Sequence, residues 1–419
     1  VNGPPARRVV VTGVGIVCSL GGDVPSVRRA LSEGRRGFAP VTLFEPGGAS
    51  SAPVAEAAVP AAAPVPSAAG GRGASGGRRT RNDAFLEAAA AEALAGAGLA
   101  PGAALAAFGI SVGGSNGGMP EAEAWFLDRT AEAGGPARAR ARSLAPILGL
   151  PVSCGADRLA AALGARGPRA TNSTACSSSA AAIATAADWI RDGECDGAVA
   201  GGSEPLCRLT FSGFAALRLM DPAGCRPFHA ERRGLTLGEG AALLVLEEPG
   251  RARARGAEIL AEVLEHGASC DAHHMTACHP EGRGMEAAMR EALERSGVAP
   301  GQVGYLNAHG TATPVNDAAE AKAVARVFGE RRGPAVSSTK SMHGHLLGGG
   351  GAIEAAVVVL ALAGGVLPPN AGCDRADPTL ALDLITEGSR RRRVSIAASN
   401  SFGFGGGNVV LLFGAGEAV

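Results

Sequence analysis

One pattern occurs twice along the chain, once in each half. In the first half, ATNSTACSSS (170–179) begins as a strand and turns on small residues. AAAIATAADWIRDG (180–193) continues as a helix that Gly193 stops, and CDGAVAGGSE (195–204) is a buried strand with a glycine exit. In the second half, AVSSTKSMHGH (335–345) again begins as a strand and turns, and GAIEAAVVVLALAGG (351–365) is again a helix with a glycine stop. VSIAASNSFGFGGGNVVLLF (394–413) then holds two strands joined by a glycine-rich turn. Self-similarity of this kind is the mark of an internal duplication. Strands alternating with helices require an α/β architecture with mostly parallel sheets. The expected division is into residues 1–255 and 256–419.

The remaining elements fit that frame. RRVVVTGVGI (7–16) reads as a buried strand, and Pro25 to Glu33 as a helix opened by proline and closed by Gly34. Asn82 to Leu99 is an alanine-rich helix, and Ala107 to Gly114 a strand running into GGSNGG. The stretch from Gly47 to Gly77 has almost no periodicity and reads as a loosely ordered surface excursion. Aromatics are only 4% of the 419 residues, while glycine contributes 63. A core so poor in rings must close by bringing backbones together, which glycine permits.

Charge narrows the function classes. The formal net charge is zero, which gives no footprint for nucleic acid. The run Arg391, Arg392 and Arg393 reads as a solvated turn rather than a phosphate site. The nine cysteines have no framework spacing, the first residues show no secretory leader, and no charge-free apolar run reaches roughly 18 residues. The expectation is a reduced, cytoplasmic protein without a membrane span.

Three segments carry chemistry. Cys176 sits where a strand gives way to a helix, among unpaired backbone N–H groups and at the positive end of the helix dipole, which favour its thiolate. His309 lies in NAHGTATP (307–314) after a strand, and His345 in STKSMHGH (338–345), at the turn that matches the cysteine turn of the first half. Two imidazoles beside one thiol suit acyl transfer, because each ring N–H can donate to a thioester carbonyl. The glycine-rich GVGIV and FGFGGGN are not complete nucleotide-binding signatures. His273, His274, Cys278 and His279 are dense, but their spacing matches no zinc pattern, so no metal is expected.

Taken together, these segments resemble the β-ketoacyl-acyl carrier protein synthases of the type II kind. The likeness runs from RRVVVTGVGI to the last strand. It includes STACSSS, CRPFHAERRGLTLGEGAALLVLEE (225–248), DAHHMT (271–276), NAHGTATPVND (307–317), STKSMHGHLLGGGGAIE (338–354) and NSFGFGGGN (400–408), in order. The resemblance implies a thiolase-like five-layered αβαβα fold of two duplicated halves. It implies that Cys176 carries the acyl chain as a thioester and that His309 and His345 bind the malonyl carbonyl and assist decarboxylation. Lys340 is then the lysine behind the triad, and Glu354 its ionic partner. Thr311 and Thr313 resemble the pair that holds the phosphopantetheine arm, with Thr276 beside them. The backbone N–H groups of Cys176 and Phe404 resemble an oxyanion hole, and the Phe404 ring a gate to the acyl pocket.

The same resemblance implies an acyl carrier protein as partner, no resident cofactor, and a dimer, either homomeric or with a related subunit. Two features depart from the family pattern. Gly348 to Gly351 replace an alanine-rich turn, which is expected to loosen it, and Gly407 replaces a threonine or asparagine. The serines after Cys176 lean towards polyketide or polyene synthesis over bulk fatty-acid synthesis. The alternatives are a non-elongating chain-length factor, which lacks the nucleophile, a thiolase, and a transferase that only loads a starter unit.

Overall fold

The computed structural model describes residues 7–46, 50–59, 79–132, 144–330 and 333–416. Its first five strands are β1 (Val10–Cys18), β2 (Gly109–Gly113), β3 (Arg169–Asn172), β4 (Gly197–Glu204) and β5 (Gly240–Glu247). They lie in the order β1-β5-β4-β2-β3. The next three are β6 (Ala261–Cys270), β7 (Tyr305–Asn307) and β8 (Ala335–Ser337). Short strands β9 (Val366–Leu367), β10 (Asp383–Leu384) and β11 (Arg390–Arg391) precede the long pair β12 (Ile396–Phe402) and β13 (Gly407–Ala415). The second sheet runs β6-β13-β12-β7-β8, with β10 added at its edge.

The two sheets have one topology. In each, the first two neighbouring pairs are antiparallel and the last two parallel. Val10 with Glu262 and Val11 with Ala261 join the two sheets edge to edge through β1 and β6, so that the hydrogen bonding runs on as one 11-stranded sheet. The repeat read from the sequence is thus a repeat of strand order and pairing sense.

Helices complete five layers. α1 (Val24–Glu33) is capped by Asp23, whose carboxylate accepts from Ser26 N, and ends at Gly34 in the left-handed region. α2 (Arg81–Gly96), α3 (Met119–Glu132) and α4 (Ser153–Leu163) follow, with α2 and α4 covering the outer face of the first sheet. α5 (Ser178–Arg191) leads into β4, and α6 (Arg208–Ala216) and α7 (Pro249–Ala254) flank β5. α8 (Arg283–Ser296) and α9 (Pro314–Phe328) cover the second sheet. α10 (Lys340–His343) is a single turn before α11 (Gly350–Gly364). α5 and α11 pack against each other between the two sheets and share one apolar core with them.

Glycine lets the layers close, as its abundance required. A Cβ on Gly15 of β1 would stand 1.9 Å from the carbonyl oxygen of Ala89 in α2. At the equivalent place in the second half, a Cβ on Gly267 of β6 would stand 2.0 Å from that of Ala288 in α8. The helix backbones lie directly on the strands at both points, which no other residue allows.

One expectation changes. Residues 47–49 and 60–77 of the excursion lie outside the described residues, but 50–59 are no loose surface loop. Val54 and Ala55 are buried; Val54 bridges Ala39 and Ala55 bridges Gly238. Leu347–Gly364 has a mean hydropathy of 1.8, high enough for a membrane segment, but it carries Glu354 and is not charge-free. It is 83% buried because it is the central core helix and the turn before it.

Candidate active site

β3 ends at Asn172, and the chain turns through Ala175 at φ 53° before entering α5. Alanine in this region costs roughly 1–2 kcal/mol, and the turn is held against that cost by its serines. Ser178 Oγ accepts from Thr174 N at 2.8 Å and donates to Ala175 O at 2.6 Å. Ser177 Oγ donates to Thr174 O at 2.8 Å, and Ser179 Oγ accepts from Ala352 N of α11 at 2.9 Å. All three serines are fully buried. Together they hold Cys176 at the junction of the two central helices.

Burial decides the state of that thiol. The sequence pointed to a thiolate favoured by the helix end. Instead burial pushes Cys176 up to about 11, against the opposing pull of the Lys340 ammonium and of the Phe404 N–H on its sulfur. The resting residue is a thiol.

His345 Nε2 lies 3.1 Å from Cys176 Sγ. Its backbone is clamped by the segment that precedes β5: His345 N donates to Thr236 O at 2.7 Å, and Gly238 N donates to His345 O at 3.0 Å. Its Nδ1 is buried and meets no hydrogen-bonding partner among the described residues. His309 follows β7, with its ring centroid 5.4 Å from that of His345 and the rings at 85°. Burial first, and Lys340 second, hold both imidazoles well below the usual histidine range, so both are neutral.

Lys340 is 1% exposed and stands behind His309. It donates to His309 Nδ1 at 3.2 Å and to His309 O at 2.7 Å, and it is ion-paired with Glu354 of α11. An ammonium has only donors, so His309 Nδ1 accepts and the ring proton is on Nε2. Burial pushes Glu354 up to about 7 against the lowering by Lys340.

One cavity of about 260 Å³ gathers the other residues. Cys176, His309, His345, Thr311, Thr313, Thr276 and Phe404 all line it, with Phe214, Leu217 and Leu219 as an apolar wall. Thr311 and Thr313 hydroxyls are 3.0 Å apart, and Thr313 also caps α9. The Phe404 ring stacks on Phe214 at 5.7 Å and 28°. Its N–H reaches the Cys176 sulfur. Lys340 and Glu354 do not reach the cavity wall. His343 is apart from it and fully paired: Nδ1 with Gly344 O at 2.8 Å, Nε2 with Thr339 Oγ1 at 3.0 Å.

The four glycines after His345 do not loosen the turn. All are buried, and a Cβ on Gly348 would stand 2.6 Å from Ser115 Oγ. One on Gly351 would meet Ser401 Oγ at 2.8 Å and Ala180 N at 2.9 Å. The turn is packed against the loop after β2 and against β4, α5 and β12, and glycine is what fits.

Three buried carboxylates that were not singled out hold the loops. Glu320 of α9 accepts from His309 N and Gly310 N, both at 2.8 Å, and from Asn400 Nδ2 at 3.0 Å. Asp317 accepts from Ala312 N at 3.1 Å and Phe228 N at 2.8 Å. Glu204 accepts from Asn116 N at 2.7 Å and Gly348 N at 2.8 Å, tying the His345 turn to the first sheet. The signal was present for two of them: acids three apart on one face of an alanine-rich helix, straight after the histidine motif.

Among the described residues, no three of His, Cys, Asp and Glu converge on a metal-sized point. In the dense segment, His274 Nδ1 accepts from Thr276 N at 3.1 Å and His279 Nδ1 from Glu281 N at 3.1 Å, which closes local turns.

Known proteins are similar to this chain along nearly their whole length. The protein from Rhizobium meliloti (strain 1021) named nodulation protein E is 40% identical over 412 residues, covering 97% of this chain and 99% of its own. The 3-oxoacyl-[acyl-carrier-protein] synthase 2 of Synechocystis sp. is 36% identical over 422 residues, covering 97% and 98%. The solved structure of the ishigamide ketosynthase/chain length factor superposes with a TM-score of 0.88 at 32% identity, over 98% of this chain and 99% of that one. Residues 6–252 match the β-ketoacyl synthase N-terminal domain and residues 260–374 its C-terminal domain. With the duplicated five-layered fold, these matches establish that the chain belongs to the β-ketoacyl synthase family.

Proposed function

We infer that the protein is a β-ketoacyl-acyl carrier protein synthase that joins an acyl group to a malonyl unit with loss of CO₂. One observation carries the reading: a buried thiol and two neutral imidazoles face one cavity, one ring 3.1 Å from the sulfur. In the first step the Cys176 thiol passes its proton to His345 Nε2 as the sulfur attacks the acyl thioester. The tetrahedral oxyanion is held by the backbone N–H groups of Cys176 and Phe404. Collapse transfers the acyl group to Cys176, and His345 returns the proton to the departing carrier thiolate.

Malonyl thioester then enters between the imidazoles. Its carboxylate leaves as CO₂, and the electron pair of that C–C bond forms an enolate. The enolate oxygen accepts from Nε2–H of His309 and of His345. His345 can serve both steps because nothing holds its Nδ1. It accepts from the thiol in one tautomer and donates to the enolate in the other. The carbanion attacks the acyl thioester, and cleavage of the C–S bond frees Cys176 as a thiolate, which takes up a solvent proton, while the carrier holds a chain two carbons longer. Every step uses side chains and backbone of the protein, so the reading calls for no resident metal or organic cofactor.

On this reading Thr311, Thr313 and Thr276 hold the pantetheine arm, and the substrates arrive on an acyl carrier protein. The name of the Synechocystis relative supports that carrier. A polyketide or polyene pathway is supported by the buried serines after Cys176 and by the likeness to the ishigamide ketosynthase. That structure also supports pairing with a second copy or a related subunit. Exposed Phe126, Leu127, Leu144, Leu148 and Leu209 offer apolar surface for it. The division into units 1–255 and 256–419 and a cytoplasmic setting belong to the same reading, the latter supported by nine free cysteines.

The test is mass spectrometry of the protein after incubation with a panel of acyl carrier proteins, followed by malonyl-carrier protein. The acyl mass should appear on the peptide containing Cys176 and leave it as CO₂ is released. Acylation elsewhere, or CO₂ release without product, would refute the reading.

A further inference from the structure

A second concavity lies away from the catalytic one. It is a groove of about 630 Å³ between α1 and the C-terminal end of α11, closed at one side by the antiparallel pair β9 and β11. Cys176 and Glu354 lie near the start of α11, so the helix's 15 residues set the groove roughly 20 Å from the chemistry. Its walls carry two opposite characters. Leu31, Val357 and Leu360 form an apolar floor, while Arg28, Arg29 and Arg391 stand around it. Arg391 is the head of the basic run that the sequence read as a solvated turn.

None of these three guanidiniums has an ion pair or side-chain hydrogen bond with the described residues, although most arginines of this chain do. Arg29 feels the Asp23 carboxylate and Arg28 stands at the negative C-terminal end of α11, but neither is paired at contact distance, so three cations around one concavity still favour an anion between them. Guanidinium matches the planar, two-oxygen edge of carboxylate and phosphate. Leu31 and Val357 are already buried, so the apolar gain comes mainly from half-exposed Leu360, which a hydrocarbon body would cover and a bare ion would not.

We propose that this groove is a binding site for amphiphilic organic anions, an acyl chain with a phosphate or carboxylate head. The head lies among Arg28, Arg29 and Arg391, and the chain lies on Leu31, Val357 and Leu360. The site is separate from the catalytic cavity and does not depend on how that cavity works.

Calorimetric titration of the whole protein with decyl phosphate, below its micelle concentration, tests the assignment. Inorganic phosphate and decanol serve as the two halves of the ligand. Decyl phosphate should bind wild type more tightly than either half, and more weakly as salt is raised. The double variant Arg28→Gln, Arg391→Gln should bind it at least about tenfold more weakly, because two charge-assisted contacts are removed. Both side chains are exposed, so the variant should melt and release CO₂ from malonyl-carrier protein as wild type does. Equal affinity in the variant would place the ligand elsewhere and overturn the proposal. Equal affinity for inorganic phosphate would remove the acyl subsite, and an absence of binding to wild type would remove the site.

Discussion

The Nε2 atom of His345 lies 3.1 Å from the sulfur of Cys176, across 169 residues of sequence. The contact joins the equivalent turns of the two duplicated halves, one before α5 and one before α11. Cys176→Ala should therefore abolish condensation while leaving the fold intact, since it removes only the sulfur from a tightly bonded turn. Labelling by a thiol-directed acyl mimic should be lost in this variant and retained when Cys207 or Cys225 is replaced. Condensing activity at the wild-type rate in Cys176→Ala would remove the nucleophile from the scheme.

The thiol state gives a pH test. Burial raises Cys176 to about 11, so the thiolate fraction is small at neutrality. Alkylation of Cys176 by iodoacetamide should climb about tenfold for each pH unit through the neutral range, because the thiolate is the reactive form. A plateau reached below pH 8 would mean that the helix end outweighs burial after all.

His309 and His345 should be separable from the thiol. In the proposed mechanism each supplies one N–H to the enolate oxygen, and a single donor of this kind is worth about 3 to 4 kcal/mol, a hundred- to thousand-fold in rate. His309→Ala should lower malonyl decarboxylation by that factor and affect acylation of Cys176 less, since its ring has no contact with the sulfur. His345→Ala should lower both, because the same Nε2 accepts the thiol proton. Stopped-flow acylation and CO₂ release measure the two steps. Equal effects of the two substitutions on acylation would break this assignment of roles.

How far the sequence carried follows from where each constraint lies. The duplicated strand, turn and helix were visible because small residues and glycine stops repeat locally. Cys176, His309, His345 and Lys340 were visible because each sits in a short motif. Glu204 was not, because its partners Asn116 and Gly348 are far from it in sequence and meet only in the folded chain. The four glycines after His345 read as slack for the same reason: Ser115, Ala180 and Ser401, which crowd them, come from elsewhere. The thiol state was misread because a helix terminus is local, whereas desolvation by two sheets is not.

His343, two residues before His345, should matter to stability and not to chemistry. It is buried with both ring nitrogens paired, and burial lowers it from 6.5 to about 3. Above pH 6.5 the ring is neutral folded or unfolded, and its stabilising contribution is complete. As pH falls below 6.5 the unfolded chain takes up a proton that the folded chain refuses until about 3, so stability is lost on that descent. From pH 7.5 to 5.5 this residue accounts for a loss of ~1.4 kcal/mol. His343→Gln should cost about 1 to 3 kcal/mol at pH 7.5 through its unpaired neighbours. It should then lose less than wild type on acidification, with CO₂ release per folded molecule preserved. Urea unfolding at the two pH values measures both, and an identical pH response would show that His343 is not the titrating group.

Phe404 combines two functions that a substitution can part. Its N–H reaches the Cys176 sulfur, while its ring leans on Phe214 at the cavity wall. The loop behind it is anchored: Gly405 N donates to Met275 O at 2.8 Å, and Asn408 Nδ2 donates to Gly406 O at 3.0 Å and to Asp271 Oδ1 at 2.9 Å. The backbone donor therefore stays in place when the ring is removed. The ring itself is half-buried and held by one stacked neighbour, a contact of about 0.5–1.5 kcal/mol beyond its buried area, which an incoming acyl chain can displace. Phe404→Ala should fold, and Cys176 should still be acylated, though slowly. What it should lose is the order of addition. With the ring absent, malonyl thioester can reach His309 and His345 before Cys176 is acylated, and CO₂ should be released without an acyl primer. The measurement is CO₂ release from malonyl-carrier protein with and without primer. If the variant depends on primer as wild type does, the ring is part of the wall and does not gate the cavity.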